Sequence, residues 1–206
     1  AHQDSTGGEG LITSGGVQYM TAGRGIIHSE TPKQDSGLLW GFQLWLNLAA
    51  KDKLQPARYS DIPASEIPVF DLSEHSRIKL IAGSLPGLDA VGPVIRNDIN
   101  LTIFDIQMTK NDSQEFELED DNQGFVYLYK GEAEINGHIV KSQQLARFTH
   151  GERLKIEAKG EAGYLLLSGR PINEPIVQYG PFVMNTQEEI EQAIADYQSG
   201  NLVAES

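Results

Sequence analysis

Cysteine is absent from all 206 residues. This removes disulfides, thiolate nucleophiles and thiolate-held metals together, so any metal chemistry must rest on His, Asp and Glu. Long hydrophobic runs are missing too. The most apolar stretches, around residues 38–48 and 163–167, are interrupted by polar residues or are far shorter than a bilayer span. No membrane association is expected, and the location is expected to be cytoplasmic. No leader is visible, although the chain opens on Ala1 rather than methionine, which leaves room for a segment removed upstream. Positive charge is scarce: 16 Lys and Arg face 29 Asp and Glu, a net charge of -13, and no basic cluster occurs. Such a chain repels a phosphate backbone, so direct nucleic-acid binding is not expected, whereas a basic protein partner is compatible.

What is present reads as short strands and turns. Phe42, Leu44, Leu46 and Leu48 alternate with Gln43, Trp45 and Asn47, the period-two pattern of a half-buried strand. Further strands are expected over 79–82, 101–108, 125–129, 133–135, 138–140, 146–149, 154–157 and 164–167, with Asn136-Gly137 as a tight hairpin turn. The stretch PARYSDIPASEIP, residues 56–68, is rich in proline and short polar residues and reads as a linker between two strand-rich regions. One helix is expected near the C-terminus. Thr186-Gln-Glu-Glu189 has the form of a capping box, Ile190, Ala193, Ile194 and Tyr197 form an apolar stripe, and Gly200 can close the helix.

The stretch MTAGRGIIHSETP, residues 20–32, places His28 and Glu30 two apart after Gly23 and Gly25. On a strand, residues i and i+2 share a face with Cα atoms roughly 6.5 to 7 Å apart, so both side chains can reach one ion. The glycines allow a tight turn and close backbone approach. The plainer alternative is a hydrogen-bonded edge histidine beside a solvated carboxylate, since a motif this short recurs by accident.

The longer strings GGVQYMTAGRGIIHSETP, GFQLWLNL and EPIVQYGPFVMNTQEEIEQAI closely resemble the pirin family. That resemblance implies an all-β fold of the cupin superfamily: two tandem jelly-roll β-barrels, the first incomplete here, with a short C-terminal helix. The implied organisation is a remainder of the N-terminal cupin over 1–55, the linker over 56–68, a C-terminal cupin over 69–172, and a strap with helix over 173–206 that docks back on the body. The resemblance also implies a mononuclear divalent metal, iron first, with manganese, nickel, copper or zinc as alternatives. Its ligands in the family are three histidines and a glutamate, of which His28 and Glu30 carry over. The remaining two belong to an H-P-H segment that this sequence does not contain, so a second polypeptide carrying the missing strands is one expected partner. His2 matches a family histidine that is not a ligand, and His75, His138 and His150 read as structural or solvated.

Two functions follow from the resemblance. One is a quercetin 2,3-dioxygenase-type oxidoreductase acting on a flavonol-like small molecule, with Glu30 as a ligand and catalytic base, His28 holding the metal, and the ion lowering the pKa of the substrate hydroxyl. The other is a regulatory module that binds a transcription factor or metabolic enzyme, or an inactive fragment. Arg24 is expected either to tune the loop beside the metal or to pack on the turn, and Trp40 and Trp45 either to line a flavonoid pocket or to belong to a core.

Overall fold

The computed structural model describes residues 1–5, 7–149, 151 and 153–203. They form two compact units, Ala64–Pro171 and Ala1–Pro63 with Ile172–Ser206. Strands dominate both, as the expected all-β class requires.

The first unit begins with β1 (His2–Asp4), β2 (Glu9–Gly10), β3 (Val17–Thr21) and β4 (His28–Glu30). β1 lies between β2 and β4 in a three-stranded antiparallel sheet, while β3 pairs with β5 (Arg58–Ile62). The stretch 56–68, expected as a linker, thus carries a strand, and the division between the units falls inside it at Pro63. Residues 42–48, expected as a strand, are irregular. Alternation supplies two faces but not a ladder partner, and no described strand pairs with this segment. Leu38, Leu39, Trp40, Phe42, Leu44 and Trp45 are accordingly exposed.

The second unit holds one eight-stranded antiparallel sheet. Its strands are β6 (Val69–Asp71), β7 (Ser76–Ala82), β8 (Thr102–Met108), β9 (Ser113–Glu117), β10 (Gln123–Ile135), β11 (His138–Lys141), β12 (Gln144–Phe148) and β13 (Arg153–Gly169). The main order is β11-β10-β13-β8-β7-β6, with β12 also on β10 and β9 also on β13. Segments expected as separate strands, 125–129 with 133–135 and 154–157 with 164–167, are halves of the long strands β10 and β13. Register shifts between Leu128 and Lys130 and between Gly131 and Ala133 bend β10 without ending it. Gly131, at φ 78°, serves that bend, because a Cβ there would lie 1.9 Å from the Glu161 carbonyl oxygen. Asn136 (φ 45°) and Gly137 (φ 84°) do form the tight turn from β10 to β11. One face of the sheet carries the core, in which Ile78, Leu80, Ile106, Leu128, Ile156 and Leu166 are fully buried. Each such side chain stabilises the unit by about 1.5–3 kcal/mol through removal from water.

The tail belongs to the first unit. β14 (Val177–Tyr179) and β15 (Phe182–Met184) form a hairpin that leads into α1 (Gln187–Ser199). The capping box is present: the Glu189 N–H donates to Thr186 Oγ1 at 3.2 Å and the Thr186 N–H to Glu189 Oε2 at 2.9 Å. Gly200 closes the helix in the left-handed conformation, and Ile190 of the apolar stripe is fully buried. Polar contacts join the tail to the preceding loops. Glu174 Oε2 accepts from the Ala50 N–H at 2.7 Å, and the buried Lys53 ammonium donates to Asn47 Oδ1 and the Val183 carbonyl. Burial lowers the Lys53 pKa, opposed by Glu174 and Glu189. No helix of the described residues is long and apolar enough to cross a membrane.

Candidate metal centre

Two glycines deliver the chain to β4. Gly23 has φ 56°, and a Cβ there would stand 2.0 Å from the Gln55 carbonyl oxygen; at Gly25 it would stand 2.5 Å from Leu202 Cγ. Only glycine permits this approach. The turn is held by Gly25 N–H to the Ala22 carbonyl and Arg24 N–H to the Gln55 carbonyl. β4 then pairs with β1 in the register His2↔Glu30, Gln3↔Ser29 and Asp4↔His28. Directly opposed residues share a sheet face, so His2, Asp4, His28 and Glu30 all project to the same side.

Their environments differ sharply. His28 and Glu30 are exposed, and neither side chain has a hydrogen-bond partner among the described residues. His2 is only 4% exposed. Its Nε2 donates to Asp61 Oδ2 at 2.9 Å, and its ring stacks on Tyr59 with centroids 4.1 Å apart and planes 17° from parallel. Gln18, opposite Asp61 in the β3–β5 ladder, donates to Asp61 Oδ1 at 3.2 Å. Gly10 leaves the room that this arrangement needs, since a Cβ there would lie 1.9 Å from Asp61 Oδ2 and 2.1 Å from His2 Nε2. The Tyr59 hydroxyl is buried. Its pKa is pushed up to about 12 by burial, then by the Asp61, Glu30 and Asp4 carboxylates, with Gln18 opposing, so it stays a neutral donor.

Tyr59 and Asp61 escaped the sequence reading because they lie in the stretch taken as a linker. Period-two alternation in Arg58-Tyr-Ser-Asp-Ile62 was the available signal, putting Tyr59 and Asp61 on one face. Arg24 is exposed, and Trp40 and Trp45 are 60% and 62% exposed, outside any core. His75 and His138 are in the second unit, and His150 lies outside the described residues. Imidazole and carboxylate donors on one strand face suit a divalent metal, yet no group of three or more His, Asp or Glu side chains converges among the described residues. The pair fits as part of a donor set and does not complete one.

Comparison with known proteins decides the family. The sequence pattern described as Pirin matches residues 1–46, and that described as the pirin C-terminal cupin domain matches residues 103–203. A pirin-like protein of Caulobacter vibrioides is 37% identical over 199 residues, covering 97% of this chain and 72% of its own length. The chain belongs to the pirin family. A Pseudomonas aeruginosa pirin relative, provisionally named a quercetin 2,3-dioxygenase, is 41% identical over 206 residues, covering 98% of this chain and 72% of its own. The crystal structure titled quercetin 2,3-dioxygenase from Acinetobacter baumannii is 33% identical and superposes with a TM-score of 0.89, over 98% of this chain and 71% of that one. The pirin fold seen here is therefore the cupin-type all-β fold with a short C-terminal helix.

Proposed function

We propose that this pirin binds a single divalent metal through His28 and Glu30 and acts as a quercetin 2,3-dioxygenase-type oxidoreductase on a flavonol-like substrate. The supporting observation is the strand β4, whose geometry sets an exposed, unbonded imidazole and an exposed, unbonded carboxylate two residues apart on one face. The names carried by the Pseudomonas and Acinetobacter relatives support the substrate class. A metal bound there would supply Lewis-acid polarisation of a substrate hydroxyl. Glu30 is the candidate base for that proton, and His28 holds position as a neutral donor. Iron is the first choice, with manganese, nickel, copper and zinc compatible with the same donor types.

Elemental analysis of the purified chain tests the reading, with His28→Ala and Glu30→Ala beside it. About one equivalent of metal in the parent, lost in both variants, together with oxygen uptake on adding quercetin, supports it. A metal-free parent, or a loaded parent that takes up no oxygen with quercetin, refutes the metal or the substrate assignment respectively.

A further inference from the structure

The C-terminal tail reaches back to the turn that delivers β4. Gly200, at φ 76°, leads the chain out of α1, and the Asn201 and Leu202 N–H groups both donate to the Asp196 carbonyl, at 2.8 and 3.1 Å. Leu202 is thereby held in place and is only 8% exposed. Its side chain lies against Gly25: a Cβ on Gly25 would stand 2.5 Å from Leu202 Cγ, 2.8 Å from Cδ1 and 3.0 Å from Cδ2. Gly25 is three residues before His28. A second tie from the tail ends on the same turn. The Val183 carbonyl accepts from the Lys53 ammonium at 3.1 Å, the Gln55 side-chain amide donates to the Asp52 carbonyl at 2.9 Å, and the Gln55 carbonyl accepts the Arg24 N–H at 2.9 Å. Beyond the turn, the Ile27 N–H donates to Ser5 Oγ at 3.0 Å and the Ser5 N–H to the Ile27 carbonyl at 2.7 Å, next to the Asp4↔His28 pair of the β1–β4 ladder.

We propose that Leu202 is a positioning residue of the His28–Glu30 site, acting through Gly25. Glycines at 23 and 25 leave the turn wide conformational freedom. β4 is three residues long and exposed throughout, so burial of its own side chains does not fix it. The Leu202 methyl groups occupy the side of Gly25 where a Cβ would stand, and so hold the turn in the conformation from which His28 and Glu30 leave it. Docking of the tail and order at the site are then linked: whatever stabilises one stabilises the other by the same factor. The effect on metal affinity rests on the metal reading proposed above; the coupling between Leu202 and the turn does not.

Leu202→Ala removes the contact, and Leu202→Met keeps an apolar side chain of similar volume. The first readout is amide hydrogen exchange of the metal-free full chain at Arg24, Gly25 and Ile27, whose N–H groups are all hydrogen-bonded. About 2- to 30-fold faster exchange there in Leu202→Ala, with the β3–β5 ladder unchanged and Leu202→Met close to the parent, supports the coupling. Unchanged exchange at these three amides overturns it, and so does an equal rise across β3 and β5, which would mean that the whole unit loosens. The second readout is calorimetric titration with nickel(II). Binding weaker by a comparable factor in Leu202→Ala, recovered in Leu202→Met, is expected, and equal affinity overturns the positioning role. A parent that binds no nickel removes the metal reading, and the exchange result then decides the coupling on its own.

Discussion

The two units bury apolar surface very differently. Ala64–Pro171 encloses Ile78, Leu80, Ile106, Leu128, Ile156 and Leu166 completely, whereas the buried apolar side chains described for the other unit are Ile62, Ile190 and Leu202. That unit instead leaves Leu38, Trp40 and Trp45 at 85%, 60% and 62% exposure. Burial of apolar surface is the main stabilising term in a fold, so cooperative stability should concentrate in the second unit. The candidate site lies in the first. Its geometry is held by polar and aromatic contacts around His2, Asp61 and Tyr59, which hold local shape where a large core is lacking.

Leu128→Ala breaks the comparison most directly. The side chain is fully buried on the bulged strand β10, and its truncation should cost about 2–5 kcal/mol, read as a lower denaturation midpoint. Metal content should be unchanged under native conditions if the two units differ as described. A smaller loss is expected from Asp112→Ala, also in the second unit. Hydrogen bonds from Ser73 and then Ser76, followed by the Ser113 N–H and Gln114, hold the Asp112 carboxyl at about 2, against burial, from an ordinary 3.8. A depressed folded-state pKa contributes stability above the unfolded value and loses it as the pH falls through the folded value. The variant should therefore be less stable by roughly 1–2 kcal/mol at pH 6, and the difference should shrink between about pH 4 and pH 2. Denaturation midpoints across that range check the sign.

How far the sequence could be read follows the same division. In the second unit, alternation and Asn136-Gly137 located the strands because one face of each is buried and the turn needs positive φ. The expected gap between 125–129 and 133–135 is a bulge at Gly131, since a glycine inside a strand marks a bulge as readily as a turn, and the choice depends on the Glu161 backbone beside it. In the first unit, 42–48 carried the same alternation without a partner strand, and periodicity alone cannot supply one. His28 and Glu30 were legible as a pair from their spacing. Their neighbours His2, Tyr59 and Asp61 were not, because long-range ladder register brings them together.

Thr186→Ala tests the tail. Losing the cap at the start of α1 should cost about 1 kcal/mol, and because α1 is part of the first unit, local hydrogen exchange in 187–199 should rise before any change appears in the core strands. The smallest effect on stability is expected at Trp45. Its side chain is 62% exposed and outside the core cluster, so Trp45→Ser should shift the denaturation midpoint by no more than about 0.5 kcal/mol. Binding of a dye that fluoresces on apolar surface should nevertheless fall, because the exposed indole is a large apolar surface in a segment that also exposes Leu38, Leu39 and Trp40. A large loss of stability in this variant would mean that the Trp45 side chain is covered in solution and that the first unit buries more than its described contacts provide. Low stability cost with reduced dye binding would instead confirm that the unit carrying the candidate site owes little of its stability to this segment.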